Sequence, residues 1–313
     1  MPSPSAELLY LSRDDVRALM PPIVEQVDLA ERTYRAMASG DVEMPPKPGI
    51  HPRSDAFLHA MPAYLRDADV AALKWVSGYP DNPARGLPYI SGLIVVNDAE
   101  TGVPEAVMDA AEITAARTAA ASGACVRRFA PEGWRRAAIL GCGEQGRYHA
   151  AVLAELKPDV EIAAFDPVPG RAESLPGGVE VASDPRAALE GADILVTAGP
   201  IVDSPEPPIT PDWLGDRWLA LPIDFDFYVR REVIAAADLF AADDVAQFEH
   251  YRAQGHFAEW PAPHASTGEA LGGAEAPARV ACVNLGVGAL DAAFAAAVLA
   301  RAREEGAGTR LPR

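Results

Sequence analysis

Two patterns in this sequence carry residue types that can do chemistry. The first is Gly141-Cys-Gly143-Glu-Gln-Gly146, spaced as G-x-G-x-x-G. A short apolar run, Ala137 to Leu140, precedes it, a helical run to Leu156 follows, and Asp166 closes the next apolar run. In that setting Gly141 permits a tight turn, Gly143 lets the backbone approach a diphosphate, and Gly146 lets helix and strand touch. The diphosphate would meet free N–H groups and the positive end of a helix dipole. The Asp166 carboxylate would accept ribose hydroxyls and repel an added 2′-phosphate, so NAD is the expected cofactor and NADP the poorer fit. Arg171 stands close enough in sequence to offset part of that repulsion, beyond a Pro-Val-Pro-Gly turn. The bland alternative is a tight strand-to-helix turn that binds nothing.

The second pattern is a pair of cations in apolar surroundings. Only Lys47, Lys74 and Lys157 are lysines in a chain whose other basic residues are arginines. Lys74 interrupts Ala71-Ala-Leu-Lys-Trp-Val76, where strand alternation puts it on the face of Ala72 and Val76. It either snorkels to water or faces a polar pocket, where desolvation would lower its pKa toward neutrality. Arg117 lies in an alanine-rich helix, and its planar fork suits a bidentate grip on a carboxylate. The competing reading is an ion pair with Glu112 or Asp109. His59 either lines the same pocket or is a hydrogen-bonded strand residue.

Elements to position these groups are legible. Ser12 before Asp14 and Asp15 marks a capped helix start, and a second helical pattern runs from Ile23 to Ala38 and stops at Gly40. Met44-Pro-Pro-Lys-Pro-Gly49 must be extended loop. Strands are expected at Phe57 to Tyr64, Val70 to Val76, Leu93 to Asn97 and Glu105 to Met108. A helix should cover Thr114 to Arg128. From Arg135 the rhythm becomes strand, helix, strand, with strands at Val160 to Phe165, Glu180 to Ala182, Ile194 to Thr197, Trp218 to Leu221 and Leu239 to Ala241. That alternation predicts an α/β chain with a doubly wound parallel sheet. His250 to Ala278, rich in Gly, Pro and Ala, is expected to be a long, partly ordered loop. Leu285 to Glu305 reads as a closing helix.

Charge and composition narrow the function classes. The 313 residues carry 27 Lys+Arg against 45 Asp+Glu, a formal net charge of −18. Such a surface repels phosphate backbones and anionic lipid, so neither nucleic acid nor membrane is an expected partner. No stretch reaches the ~20 apolar residues of a membrane span. Met1 to Tyr10 shows no secretion signal, and Cys125, Cys142 and Cys282 read as reduced thiols, which together imply a cytoplasmic protein. No H-E-x-x-H, C-x-x-C or G-x-S-x-G occurs, which argues against a metal site and a serine hydrolase.

The ordered series Phe57-Leu-His-Ala-Met-Pro-Ala-Tyr64, Leu73-Lys-Trp-Val76, Gly86-Leu-Pro88, Asn97-Asp-Ala-Glu-Thr-Gly102, Ala106-Val-Met-Asp109, Ile113-Thr-Ala-Ala-Arg-Thr-Ala-Ala120 and Gly141-Cys-Gly-Glu-Gln145 resembles the ornithine cyclodeaminase/mu-crystallin family. The similarity is strong from about Ala56 to Leu156 and weaker beyond. It implies a Rossmann-type dinucleotide-binding domain, expected at 116–284. Beside it the resemblance implies an α+β substrate and dimerisation domain, 1–115 with 285–313, completed by the C-terminal helix. It also implies a nicotinamide cofactor, redox chemistry at the Cα–N bond of an amino or imino acid, and a homodimer. Lys74 matches the family's active-site lysine, and Arg117 its carboxylate-binding arginine, with Met61 nearby in the substrate site. Thr118, Glu144, Gln145, Thr197 and Ala198 join the glycines, Asp166 and Arg171 around the cofactor.

Two departures stand out. The family often reads Pro-Arg where this chain reads Pro45-Pro-Lys47-Pro, so Lys47 or Arg53 must supply that cation. A Gly-Ala-Asp segment is replaced by Asp224-Phe-Asp226, which puts Asp226 in the slot of the acid that holds the ornithine side-chain amine. Phe225, Phe227 and Tyr228 suggest a pocket wall there. Three readings stay open: an NAD-dependent amino or imino acid oxidoreductase, a cyclodeaminase that recycles NAD, and a mu-crystallin-like binding protein.

Overall fold

The computed structural model describes residues 7–53, 56–202, 205–257 and 259–312. Met1 to Ala6, part of the stretch read for a secretion signal, lie outside the described residues. The chain divides into two compact units, Met1–Arg117 with Val287–Arg313, and Thr118–Gly286. Both joins fall two residues beyond the expected ones. The first is hidden from the sequence because it lies inside a continuous helix.

β1 (Glu7–Leu11) leads into α1 (Arg13–Leu19). Ser12 caps α1 by accepting the Asp15 N–H, while the Asp15 carboxylate accepts the Ser12 N–H. α2 (Ile23–Ser39) stops where Gly40 turns left-handed, φ 83°,. β2 (Val42–Glu43), β3 (Gly49–Arg53), β4 (Ala56–Leu65), β5 (Val70–Gly78), β6 (Ile90–Asp98) and β7 (Pro104–Asp109) follow, and α3 (Ala111–Phe129) crosses the join. The second unit then alternates. It runs β8 (Arg136–Leu140), α4 (Glu144–Leu156), β9 (Glu161–Phe165), β10 (Glu180–Val181), α5 (Pro185–Leu189), β11 (Ile194–Thr197) and β12 (Trp218–Pro222). It continues through α6 (Arg231–Ala235), β13 (Leu239–Ala242), α7 (Val245–Ala253), β14 (Ala265–Ser266), α8 (Thr267–Leu271) and β15 (Arg279–Val283). α9 (Gly288–Glu305) and β16 (Thr309–Pro312) return to the first unit.

In the first unit the main path of the sheet runs β16-β1-β7-β6-β5-β4-β2, with β3 on β4. β4 to β7 form an antiparallel meander in which Met61 pairs with Lys74 and Trp75 with Leu93. α9 packs along β4, β5 and β6 and against α2. One face of the sheet is thereby buried, and alternation leaves Leu73, Trp75 and Leu93 on the other, exposed,.

The second unit is the Rossmann-type domain. Its sheet runs β10-β9-β8-β11-β12-β15-β13-β14, and its strand pairs are parallel. The order reverses between β9 and β11 on either side of β8, which creates the crevice where such sheets bind ligands. Its core gathers Leu140, Leu195, Trp218, Val233, Phe240 and Phe248.

The segment from His250 to Ala278 departs from expectation. It holds the end of α7, β14 and α8, the last with a Ser266–Glu269 capping box. Phe257 stacks on Phe248 at 4.9 Å, and Trp260 packs on Phe257 and Phe240 at 5.0 and 5.7 Å. These aromatics anchor in the core a stretch whose composition alone suggests loop. The closing helix begins at Gly288, not Leu285, because Gly286 turns left-handed at φ 82° and Val287 is extended, with the Gly286 N–H held by Asp243 Oδ2,.

Candidate functional site

The first unit contains a buried charge cluster centred on Lys74. The burial of β5 alternates, and Lys74 falls on the covered face between Ala72 and Val76. Its side chain is 1% exposed, so it does not snorkel to water. Its Nζ donates to Asp291 Oδ1 at 2.8 Å and to Thr114 Oγ1 at 3.3 Å. Arg117, one turn along α3 from Thr114, donates its Nε to the same Asp291 Oδ1 at 3.2 Å. Met61 is buried opposite Lys74 on β4. Lys47 is also buried, near enough for its charge to act on Lys74.

Burial pulls the Lys74 ammonium down to about 7, against the Asp291 carboxylate, which holds it up, and Arg117 and Lys47, which lower it further,. Taking such ions out of water costs several kcal/mol apiece, so a purely structural role is an expensive one. Arg117 Nη1 and Asp291 Oδ2 are buried with no hydrogen-bond partner. With Lys74 protonated, the trio of Lys74, Arg117 and Asp291 carries one surplus positive charge and an unused guanidinium N–H. That is an arrangement suited to an anion.

The alternatives for Arg117 are otherwise engaged. Glu112 takes Arg13 and Arg17, and Asp109 accepts the Ala111 N–H. Asp291, the acid that does meet Arg117, escaped the sequence reading. It stands in the first turn of α9, where an acid needs no explanation beyond the helix dipole,. Of the two candidate cations near Pro45, only Lys47 is buried and acts on Lys74. Arg53 is exposed on β3 and gives Nη1 to the Pro52 carbonyl.

The second unit holds the glycine motif. Gly141 sits at φ +94°, and a Cβ there would lie 2.3 Å from the Ala198 carbonyl oxygen. A Cβ on Gly146 would lie 2.3 Å from the Gly141 oxygen, so helix and strand do touch at this point. A Cβ at Gly143 meets nothing within 4 Å, which leaves open space above the start of α4. Glu144 is the first residue of that helix. Asp166 Oδ2 accepts the Cys142 N–H at 2.8 Å and its Oδ1 accepts the Val168 N–H at 2.8 Å, so the acid is tied to the glycine turn. Arg171 Nη1 stands 3.7 Å from Asp166 Oδ1, where it offsets part of that charge.

At the carboxyl ends of β11 and β12, Thr197 Oγ1 donates to Asp224 Oδ1 at 2.5 Å and the Gly199 N–H donates to Oδ2 at 2.8 Å. Burial raises the Asp224 carboxyl to about 7. Asp226, the acid singled out from sequence, is partly buried and accepts the Phe257 N–H at 3.0 Å. Its oxygen secures the backbone of the aromatic anchor. Phe225 likewise packs on Tyr251 and Phe257 in the core. His149, missed in the sequence, is buried, bonded to Ser122 and Gln145, and held near 4 by burial, so it is neutral. Gln145 Oε1 and Asn284 Oδ1 are buried without partners. Asn284 donates Nδ2 to the Thr118 carbonyl, which fixes its amide orientation. Open space over the glycine turn, a positioned acid and two unsatisfied amide oxygens fit a dinucleotide.

The model of the ornithine cyclodeaminase/mu-crystallin family matches residues 9–275. The nodulation efficiency protein NfeD of Rhizobium meliloti is 34% identical over 327 residues, covering 97% of this chain and 98% of that protein. The structure of Thermococcus litoralis Delta(1)-pyrroline-2-carboxylate reductase, in complex with NADH and L-proline, superposes with a TM-score of 0.85 at 26% identity, over 97% of this chain and 100% of that one. An archaeal alanine dehydrogenase dimer with bound NAD gives a TM-score of 0.84 at 26% identity, over 97% and 99%. The chain belongs to the ornithine cyclodeaminase/mu-crystallin family.

Proposed function

We propose that this protein is an NAD-dependent oxidoreductase acting on the Cα–N bond of a small L-amino acid or its imine. The observation that carries this reading is the buried meeting of Lys74, Arg117 and Asp291, with a guanidinium N–H left over. The substrate carboxylate is held by Arg117 and Lys74, with Lys47 adding charge and Met61 an apolar wall. Lys74, titrating near 7, holds or releases a proton at Nζ as the substrate nitrogen changes state,. The Gly141–Gly146 turn, with Glu144 and Gln145, receives the diphosphate, and Asp166 the adenosine ribose. Thr118, Thr197, Ala198 and Arg171 line the same site. When bound, the nicotinamide gives or takes the hydride.

In this reading Met1–Arg117 with Val287–Arg313 is the substrate and dimerisation unit, and Thr118–Gly286 the nucleotide unit. The apolar sheet face of Leu73, Trp75 and Leu93 supports a homodimer, as does the dimeric archaeal relative. The free cysteines Cys125, Cys142 and Cys282 support a cytoplasmic location,. Among the described residues no helix is long and apolar enough to cross a membrane.

Incubation with NAD⁺ and a panel of L-amino acids, following NADH absorbance and ammonia together, tests the reading. Both products rising together support it. Ammonia without NADH points to a cyclodeaminase, which the engagement of Asp226 with Phe257 does not favour. Neither product, with NADH still binding, points to a storage or carrier protein.

A further inference from the structure

Asp291 has work left for one of its oxygens. Oδ1 is used twice, by Lys74 Nζ at 2.8 Å and by Arg117 Nε at 3.2 Å. Oδ2 is buried and accepts nothing, and on the other member of the same ion pair Arg117 Nη1 is buried and donates to nothing. Buried polar atoms without partners are rare, and a pair of opposite charge on two bonded residues is a more specific feature than either alone. An anion alone would satisfy Nη1 while setting a second negative charge beside Oδ2. A neutral apolar ligand would satisfy neither. A ligand that carries a carboxylate and an N–H-bearing, cationic nitrogen on one carbon satisfies both.

We propose that Asp291 Oδ2 is the acceptor for the substrate's α-nitrogen, so that one ion pair reads both ends of the zwitterion: carboxylate at Arg117, nitrogen at Asp291. This rests on the reading above that the carboxylate enters the cluster, and it assigns the nitrogen a partner. Lys74 from β5 and Arg117 from α3 bond Asp291, and Lys47 from the loop after β2 acts on Lys74. All three are cations, and among these Asp291 is the one group that attracts an ammonium or iminium. It also gives the site a reason to reject simple carboxylic acids, which Lys74 and Arg117 by themselves would welcome.

The test measures binding of matched acids to the full-length protein saturated with NADH. L-alanine is paired with propionate and L-proline with cyclopentanecarboxylate, each followed by calorimetry. The expected result is that at least one amino acid binds about tenfold or more tighter than its nitrogen-free partner, a loss of the size of one charge-assisted hydrogen bond. Asp291→Asn should collapse that ratio toward one while binding the nitrogen-free acid as well as before or better. Equal affinities within both pairs in the unaltered protein overturn the assignment without any variant and leave the carboxylate site standing. A ratio that survives in Asp291→Asn also overturns it. Failure of all four acids to bind removes the carboxylate site itself, and this inference with it.

Discussion

Lys74 Nζ and Asp291 Oδ1 meet at 2.8 Å, 217 residues apart in sequence, with both side chains 1% exposed. The lysine sits on a strand and the acid on the closing helix, so this ion pair joins the chain's two ends within one unit. Burial by itself favours the neutral amine,. Left to the carboxylate alone it would stay charged at every physiological pH. Between them Lys74 titrates at about 7, where a proton can be held or released at little cost,.

Lys74→Ala should therefore abolish most turnover while NADH binding stays nearly intact, because the residues proposed to hold the nucleotide lie in the other unit. Loss of one charge-assisted contact in a closed site costs about 2–4 kcal/mol, or about 30- to 1,000-fold in rate. Lys74→Arg keeps the charge but not a compact, titratable ammonium, and should fail comparably. Near-normal kcat/KM in Lys74→Ala would remove the residue from the mechanism.

Two buried groups give stability opposite dependences on pH. Asp224 titrates at 3.8 unfolded and about 7 folded. From pH 4 to 7 the folded state therefore keeps a proton that the unfolded state has lost, and stability falls as pH rises. Lys74 titrates at about 7 folded against 10.5 unfolded, so from pH 7 to 10 the unfolded state holds the extra proton and stability rises. Each slope is at most about 1.4 kcal/mol per pH unit. Urea unfolding across pH should show Asp224→Asn flattening the acid-side fall and Lys74→Met flattening the alkaline-side rise. Unchanged slopes in the variants would show that neither group carries the linkage.

The glycines separate folding from binding. Gly143→Ala adds a Cβ to open space and should leave Tm unchanged while weakening NADH binding. Gly146→Ala drives a Cβ to 2.3 Å from the Gly141 oxygen and should lower Tm as well. Equal NADH affinity in Gly143→Ala, read by fluorescence titration, would exclude close backbone approach to the diphosphate.

Cofactor choice rests on Asp166. NADH should bind tighter than NADPH, and Asp166→Ser should narrow the gap. Arg171, at 3.7 Å, would then be released to face a 2′-phosphate,. Equal affinities in the unaltered protein, by the same titration, would contradict the role given to the carboxylate.

The glycine turn and Lys74 were legible in the sequence because each breaks a local rule. Three glycines at fixed spacing open a helix, and a rare lysine splits an apolar strand. Asp291 was not, since an acid in a helix's first turn obeys the local rule and its partner lies on another element. The same contrast holds for the fold. β4 to β7 announce themselves by alternation, whereas β1, β3 and β16 exist because a neighbour offers free backbone groups. Phe257 and Trp260 are buried by contacts with Phe240 and Phe248 that no window across the 250–278 segment contains. Asp226 was favoured over Asp224 by counting back from Glu232, and counting could not show which of the two the strand ends would enclose.

The last prediction concerns the sheet face that α9 leaves uncovered. Leu73, Trp75 and Leu93 are 36%, 42% and 45% exposed, and the register places Trp75 opposite Leu93 and Leu73 opposite Val95. Val95 in turn pairs with Val107, and Val107 with Tyr10, so the apolar row crosses from β5 through β6 and β7 to β1. A row of that extent facing water is a liability for a monomer, and a two-fold partner presenting the same row would cover it. Light scattering at micromolar concentration should give twice the mass of one chain. Trp75→Glu points away from Lys74 on the same strand, so it should split the dimer and lower Tm without altering the charge cluster itself. A monomeric mass for the unaltered protein would refute the dimer, and a Trp75→Glu variant that remains a full dimer would move the interface elsewhere.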